Sequence, residues 1–396
     1  MNRNKILLIL AIAINNIGDV IFDMFITWKL AATTGRFMNA VYVIGTSIAF
    51  RAILSFFIGS FVDKHIKKKM MVLSHVLSIV IITCFGVCWN IACEFIIVGI
   101  VFVLLNDINN ELFSRSYISM TSDMFDENQY IKFQSYTNIV IRIVGIAGAA
   151  FVGILIDHIP GNLVFGIDIV TYLISLVLIC AIQYDEKVVN NTKNVGIVKN
   201  IILDVKYTLN NIFKSKYLLT FIVLMFVLNL AYGYIPQILP VFKANMVNSA
   251  TLLGLLKSAM TIGEIIGLAV VSRVSKYVSA TFKISMILNI FIIVIIYITR
   301  NPYLLITLFT LYGFSDSLTQ PLFGYTVANL DSDNRGKLLG GIDAIIMFSP
   351  SIGIYIISAV SNYSQIAGGI LLSAIFLAGF LIIILNDELR NIKLEK

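Results

Sequence analysis

Asp19 and Asp23 stand four residues apart in an otherwise apolar run, with Asn15 and Asn16 one turn earlier. At that spacing both carboxyls fall on one helical face, where mutual repulsion makes them candidates for a protonation switch that exchanges a proton for a cation. The plainer alternative is a structural pair with Arg51 in the next apolar run. Asp107 and Glu111 repeat the four-residue spacing, and Arg115 follows four residues later. Glu111 and Arg115 can pair along a helix, which leaves Asp107 the freer acid; Arg142 is a candidate partner for either carboxyl. Lys257 and Glu264, seven apart, share a face and read either as a static ion pair or as Glu264 turned toward a cavity. Asp316 completes the set, while Asp168 is expected to satisfy a neighbouring helix and Asp343 to lie one turn into a later run.

These acids are informative because of what surrounds them. Of 396 residues, 58% are hydrophobic and 13% charged, and mean hydropathy is +0.91, against about 25% charged residues in soluble domains. Such a chain belongs in a bilayer. A charge near the bilayer centre costs at least about 2.5–3.5 kcal/mol, so each needs a partner, a proton or a wet cavity. The net charge of +7 would suit nucleic acid, but the basic residues cluster in short loops between apolar runs, which is a topology signal. Nucleic-acid binding is therefore discarded. Cys84, Cys88, Cys93 and Cys180 fall within or beside apolar runs without metal-ligand spacing and are expected to pack as small buried hydrophobes. With no metal set and no glycine-rich phosphate loop, the sequence points away from an enzyme, a cofactor and ATP-driven chemistry.

A span needs about 20 apolar residues, and twelve such runs occur: 5–29, 38–62, 70–90, 93–115, 133–156, 162–183, 217–241, 249–272, 283–300, 303–327, 337–360 and 365–386. The expected fold is all-α and polytopic, with an N-terminal six-helix bundle over 1–183, a linker over 184–216 and a C-terminal bundle with a short tail over 217–396. The apolar run after Lys5 is too long for a cleavable signal core. With both termini inside, 21 basic residues face the cytoplasm and 4 face out, which sets the orientation. Trp28 and Trp89 then fall at the outer interface. Within the linker, apolar residues from Val195 to Phe213 recur at helical spacing beside Lys199, Lys206 and Lys214, the pattern of a basic amphipathic helix on the inner surface. Pro236 and Pro240, flanked by Tyr232, Tyr234 and Phe242, mark a place where span 7 could break and act as a gate. A shift of 209 residues superposes the halves weakly, bringing Lys64 onto Arg273, Lys67 onto Lys276 and Asp107 onto Asp316. The two bundles are thus pseudo-symmetric. Abundant Ile, Lys and Asn suggest an AT-rich bacterial source.

The loop from Gly59 to Lys69 is the most charged short stretch, and its pattern Gly59-x-x-x-Asp63-Lys64-x-x-Lys67-Lys68 resembles the signature between the second and third helices of the major facilitator superfamily. Thr34-Gly35, Glu127 to Lys132 and Arg335-Gly336-Lys337 extend that likeness toward its macrolide-efflux branch. The resemblance implies a secondary-active exporter of amphipathic or cationic small molecules, of the drug and antibiotic efflux type. It would be an ion-driven antiporter in the cell membrane, acting by alternating access as a monomer, with the proton as the expected coupling ion. Under that reading Asp19, Asp107, Glu264 and Asp316 line one cavity and couple substrate to proton. Gly59, Asp63, Lys64, Lys67 and Lys68 form a conformational latch, and Arg51, Glu111, Arg115, Arg142 and Lys257 supply structural ion pairs. The pattern departs at Ile66, where the family usually has a second glycine, and at Leu104-Leu105-Asn106-Asp107, where relatives often carry an arginine tied to proton coupling. A metabolite or siderophore exporter, a nutrient importer, and a non-transporting sensor or immunity protein on the same scaffold are the competing readings.

Overall fold

Backbone inside hydrocarbon must satisfy its own hydrogen bonds, so long apolar runs become helices. A computed structural model describes residues 3–33, 37–62, 65–184, 215–328, 335–390 and 392. The first unit comprises residues 1–197 together with 248–254, and the second comprises residues 198–247 and 255–396. Eleven helices among the described residues are long and apolar enough to cross a membrane. The linker residues 185–214, with their expected amphipathic helix, lie outside the described residues, as do Asp63 and Lys64.

In the first unit α1 (Arg3–Thr33) packs against α2 (Phe37–Val62), α6 (Glu127–His158) and α7 (Gly161–Cys180). The helices α3 (Lys67–Val87) and α5 (Ile96–Met124) pack on each other; α2 also packs on α5, and α7 also packs on α3. A short α4 (Trp89–Glu94) joins α3 to α5. Hydropathy places the fourth span at 93–115, yet α5 runs to Met124, because its polar second half turns Ser116 and Thr121 inward rather than ending the helix. Asp126 caps α6 by accepting from the Gln129 N–H at 2.8 Å.

The second unit contains α8 (Lys216–Gln237), α9 (Leu239–Asn245), most of α10 (Ala250–Val274), α11 (Val278–Ile298), α12 (Pro302–Ser317), α13 (Gln320–Ala328), α14 (Arg335–Ile346), α15 (Ser349–Tyr363) and α16 (Gln365–Leu385). Here α11 packs on α12 and α16, and α8 on α15 and α16. Three expected spans are each broken: the seventh into α8 and α9, the tenth into α12 and α13, and the eleventh into α14 and α15. Proline sits in the first turn after each break, at Pro240, Pro321 and Pro350; it removes a donor and bends or ends the helix before it. Buried Lys243, on α9, donates to the Tyr297 carbonyl at 3.1 Å and to the Thr299 carbonyl at 3.4 Å, where α11 ends.

Trp28 is buried against its neighbours at 4% exposure, and one packing expectation needs correction. Cys84 and Cys180 are exposed on outer faces instead of filling the core; beside lipid tails an outward apolar side chain carries no desolvation cost, as with the outward Ile97 and Leu385.

Candidate functional site

In the first unit three helices present strict helical stripes to one cavity of about 490 Å³. From α1 come Ile12, Asn15, Asn16, Asp19, Val20 and Asp23. From α5 come Asn110, Phe113, Ser114, Tyr117 and Ile118, from α6 come Gln134, Thr137, Asn138 and Ile141, and α2 adds Arg51. Within each stripe the spacing is three or four residues, so each helix turns a single face inward, on which polar residues alternate with Ile12, Val20, Phe113, Ile118 and Ile141.

Asp19 is held at both oxygens: Asn15 Nδ2 donates to Oδ2 at 2.9 Å, and the Tyr172 hydroxyl of α7 donates to Oδ1 at 2.9 Å. Arg51 sits among four acids, interacting most strongly with Asp23 and also with Asp107, Asp19 and Glu111. The expected Glu111–Arg115 pair forms at 2.7 Å along α5. Asp107 is buried, with one oxygen bonded to Ser47 and Oδ2 unpartnered among the described residues. It stands behind the cavity and does not line it. The arrangement offers a cation two carboxylates, one guanidinium counter-charge and a ring of amides and hydroxyls.

The other sequence-predicted residues are distributed as follows. Glu264 on α10 acts electrostatically on half-buried Asp316 at the end of α12, bringing these two acids together. Their helices approach closely because a Cβ at Gly263 would collide with the Thr310 carbonyl, and one at Gly313 with the Met260 carbonyl. Beside them an apolar crevice of about 260 Å³ is lined by Met225, Leu228, Tyr232, Phe282, Thr319, Gln320 and Phe323. Gly59 lies in the last turn of α2, where a Cβ would meet nothing within 4 Å. Lys67 pairs with Asp123 at 3.9 Å, and Lys68 donates to the Cys180 and Ile182 carbonyls at 3.0 and 2.6 Å. These two lysines of the loop make their contacts inside the first unit, Lys68 by capping the end of α7. Arg142 on α6 and Lys257 on α10 each engage a neighbour. The residues missed from sequence are Tyr172 and the polar stripes of α5 and α6; the spacing Gln134, Thr137, Asn138 within an apolar helix is the signal that marks them.

A family model for the Major Facilitator Superfamily matches residues 8–330. The chain belongs to that superfamily. As a member it is a multi-pass membrane transporter with the twelve-helix architecture, and such a transporter acts on a small-molecule substrate. No curated protein sequence matches the chain. Among solved structures, a mutant of the nucleoside transporter NupG superposes with a TM-score of 0.74 at 13% identity, covering 96% of this chain and 97% of its own. A POT family transporter in complex with a thioalcohol-conjugated peptide gives 0.72 at 11% identity, covering 97% and 96%. The human organic anion transporter MFSD10 gives 0.61 at 13% identity, covering 96% and 98%. At these identities the likeness establishes the shared superfamily fold and nothing finer.

Proposed function

We propose that this superfamily member is a secondary-active exporter of amphipathic or cationic small molecules, driven by an ion gradient through alternating access, with the proton as coupling ion. The observation that carries the reading is the cavity wall, where Asp19 and Asp23 face a space of about 490 Å³ with Arg51 as the cation among its lining residues. That volume suits a drug-sized ligand, and two carboxylates in a confined low-dielectric space attract a cation far more strongly than they would in bulk water. In this reading Asp19 carries coupling in the first unit, with Asp107 behind it, and Glu264 and Asp316 serve the second. Gly59, Asp63, Lys64, Lys67 and Lys68 act as a conformational latch. Both termini and residues 184–216 face the cytoplasm, in keeping with the 21 to 4 bias of basic residues.

The test is transport in proteoliposomes under an imposed pH gradient, with a fluorescent lipophilic cation as probe. Gradient-dependent accumulation that falls in Asp19→Asn supports the proposal; accumulation indifferent to the gradient refutes it. A second reading, import of a nutrient, draws support from the nucleoside and peptide transporters among the fold neighbours. Uptake against efflux in cells with and without the gene separates the two directions.

A further inference from the structure

Among the described residues of the first unit, one buried carboxyl outside the cavity has no donor at either oxygen. Asp168, on α7, is 1% exposed, and neither of its oxygens has a hydrogen-bond partner among the described residues. Gly18 of α1 makes room for it: a Cβ there would stand 2.9 Å from Asp168 Oδ1 and 2.5 Å from Thr171 Oγ1. The next residue of α1 is Asp19, whose oxygens accept from Asn15 and Tyr172. Tyr172 lies one turn beyond Asp168 on α7, so both acids share the α1–α7 seam.

The two environments suit opposite forms of the same group. A carboxylate cut off from water without a donor costs several kcal/mol, whereas a neutral acid at the same place costs far less. Asp19, with two donors and the Arg51 charge nearby, can hold a charge more readily than Asp168 can. Asp168, with no donor and with Asp19 and Asp23 both acting on it as like charges, is built for a bound proton. The other titratable groups around it are Tyr172 on its own helix and His75 of α3, which bonds Ser175 at 2.8 Å and stands edge-on to Tyr172. Packed more lightly on α7, α6 carries Arg142, Asp157 and His158.

We propose that Asp168 is a proton store for the coupling reaction, loaded from the cavity through Asp19. The inference rests on the proton-coupled reading above and adds a second carboxyl to it. In the transfer, the O–H bond on Asp19 breaks and one forms on Asp168; Asp19 returns to the carboxylate held by Asn15 and Tyr172, and no other reactant is consumed. An Asp168→Asn side chain has nearly the same shape but cannot accept this proton.

The experiment is infrared spectroscopy of the full chain in proteoliposomes at neutral pH, paired with transport. The wild-type minus Asp168→Asn spectrum should contain a protonated-carboxyl C=O band that shifts in D₂O. Gradient-driven uptake of the lipophilic cation should fall by about tenfold or more, while exchange without a gradient stays within about twofold. Absence of the band overturns the proposal, as does its removal by Na⁺ at constant pH, which would make the ion sodium. Unchanged gradient-driven uptake in Asp168→Asn also overturns it. Should that variant not fold, dicyclohexylcarbodiimide, which reacts with protonated carboxyls in apolar surroundings, should label Asp168 in the wild type; no label overturns the store. The infrared arm needs no substrate. Failure of the wild type to move the cation therefore refutes the export reading, whereas a missing band refutes the store.

Discussion

Gly18 and Gly145 provide a matched pair of perturbations with opposite expected signs. Both lie inside helices of the first unit, so replacing either with alanine removes the same conformational freedom and gains about 0.5–1 kcal/mol of helix stability. At Gly145 a Cβ meets nothing within 4 Å, and the gain stands alone. At Gly18 the Cβ would stand 2.5 Å from Thr171 Oγ1 and 2.9 Å from Asp168 Oδ1, well inside ordinary contact. Thr171 cannot simply rotate away, because its hydroxyl donates to the Asp168 carbonyl at 2.7 Å. Two simultaneous contacts of this kind place the overpacking penalty at about 2–3 kcal/mol. The helix term cancels between the variants, so this penalty is their difference. At roughly 2–4 °C per kcal/mol for a unit of this size, Gly18→Ala should melt about 4–12 °C below Gly145→Ala. Thermal unfolding of the purified protein in one detergent, followed by intrinsic fluorescence, reads this directly. Equal melting temperatures, or Gly18→Ala melting higher, would refute the α1–α7 packing and with it the room made for Asp168.

Asp19→Asn should lower gradient-driven transport by about tenfold or more while leaving the melting temperature within a few degrees, since the amide oxygen can still accept from Asn15 while its NH2 donates to the Tyr172 hydroxyl oxygen; proteoliposome uptake and thermal unfolding check the two halves of that statement. Lys243→Met should destabilise by about 1.5–3 kcal/mol, because it deletes two charge-assisted bonds at the end of α11, and a melting temperature equal to wild type would remove that role. Glu111→Gln should cost only about 0.3–0.5 kcal/mol, as Arg115 is 41% exposed and the pair lies along one helix, a difference readable in denaturant unfolding. A cysteine placed at Asn194 should resist an impermeant reagent added to intact cells; labelling there would invert the assigned orientation.

The apolar runs made the helices legible, because length and hydropathy alone decide whether a segment can cross a bilayer. The Glu111–Arg115 pair was legible for a similar reason: both residues lie on one helix at a fixed spacing. Asp19 could be picked out by its cost in an apolar run, but its partner Tyr172 is 153 residues away and appears only when α1 meets α7. Asp168 shows the same limit. Its isolation depends on a glycine of another helix, which no periodicity reports. Asp107 was expected on the cavity wall by its depth; it shares the helical stripe of Asn110, Ser114 and Tyr117, but the lining of the cavity begins one turn further along α5, at Asn110. The break after Gln237 was marked by Pro236 and Pro240, whereas those after Ser317 and Ile346 were hidden because the apolar pattern continues across them.

Those breaks divide the mechanical labour of the molecule. Among the described residues the long helices α1, α2, α3, α5, α6 and α7 contain no proline, whereas Pro236, Pro240, Pro321 and Pro350 all fall at or near the joints of the second unit. An uninterrupted helix resists bending and behaves as a rod, so a load on one end of the first unit reaches the other end nearly undiminished. A jointed helix yields at the joint, where the missing proline N–H leaves the preceding carbonyls more freely available to water or a passing ligand. Two sets of helices similar in number therefore differ in compliance: the first unit is suited to hold a fixed polar geometry and the second to flex around one.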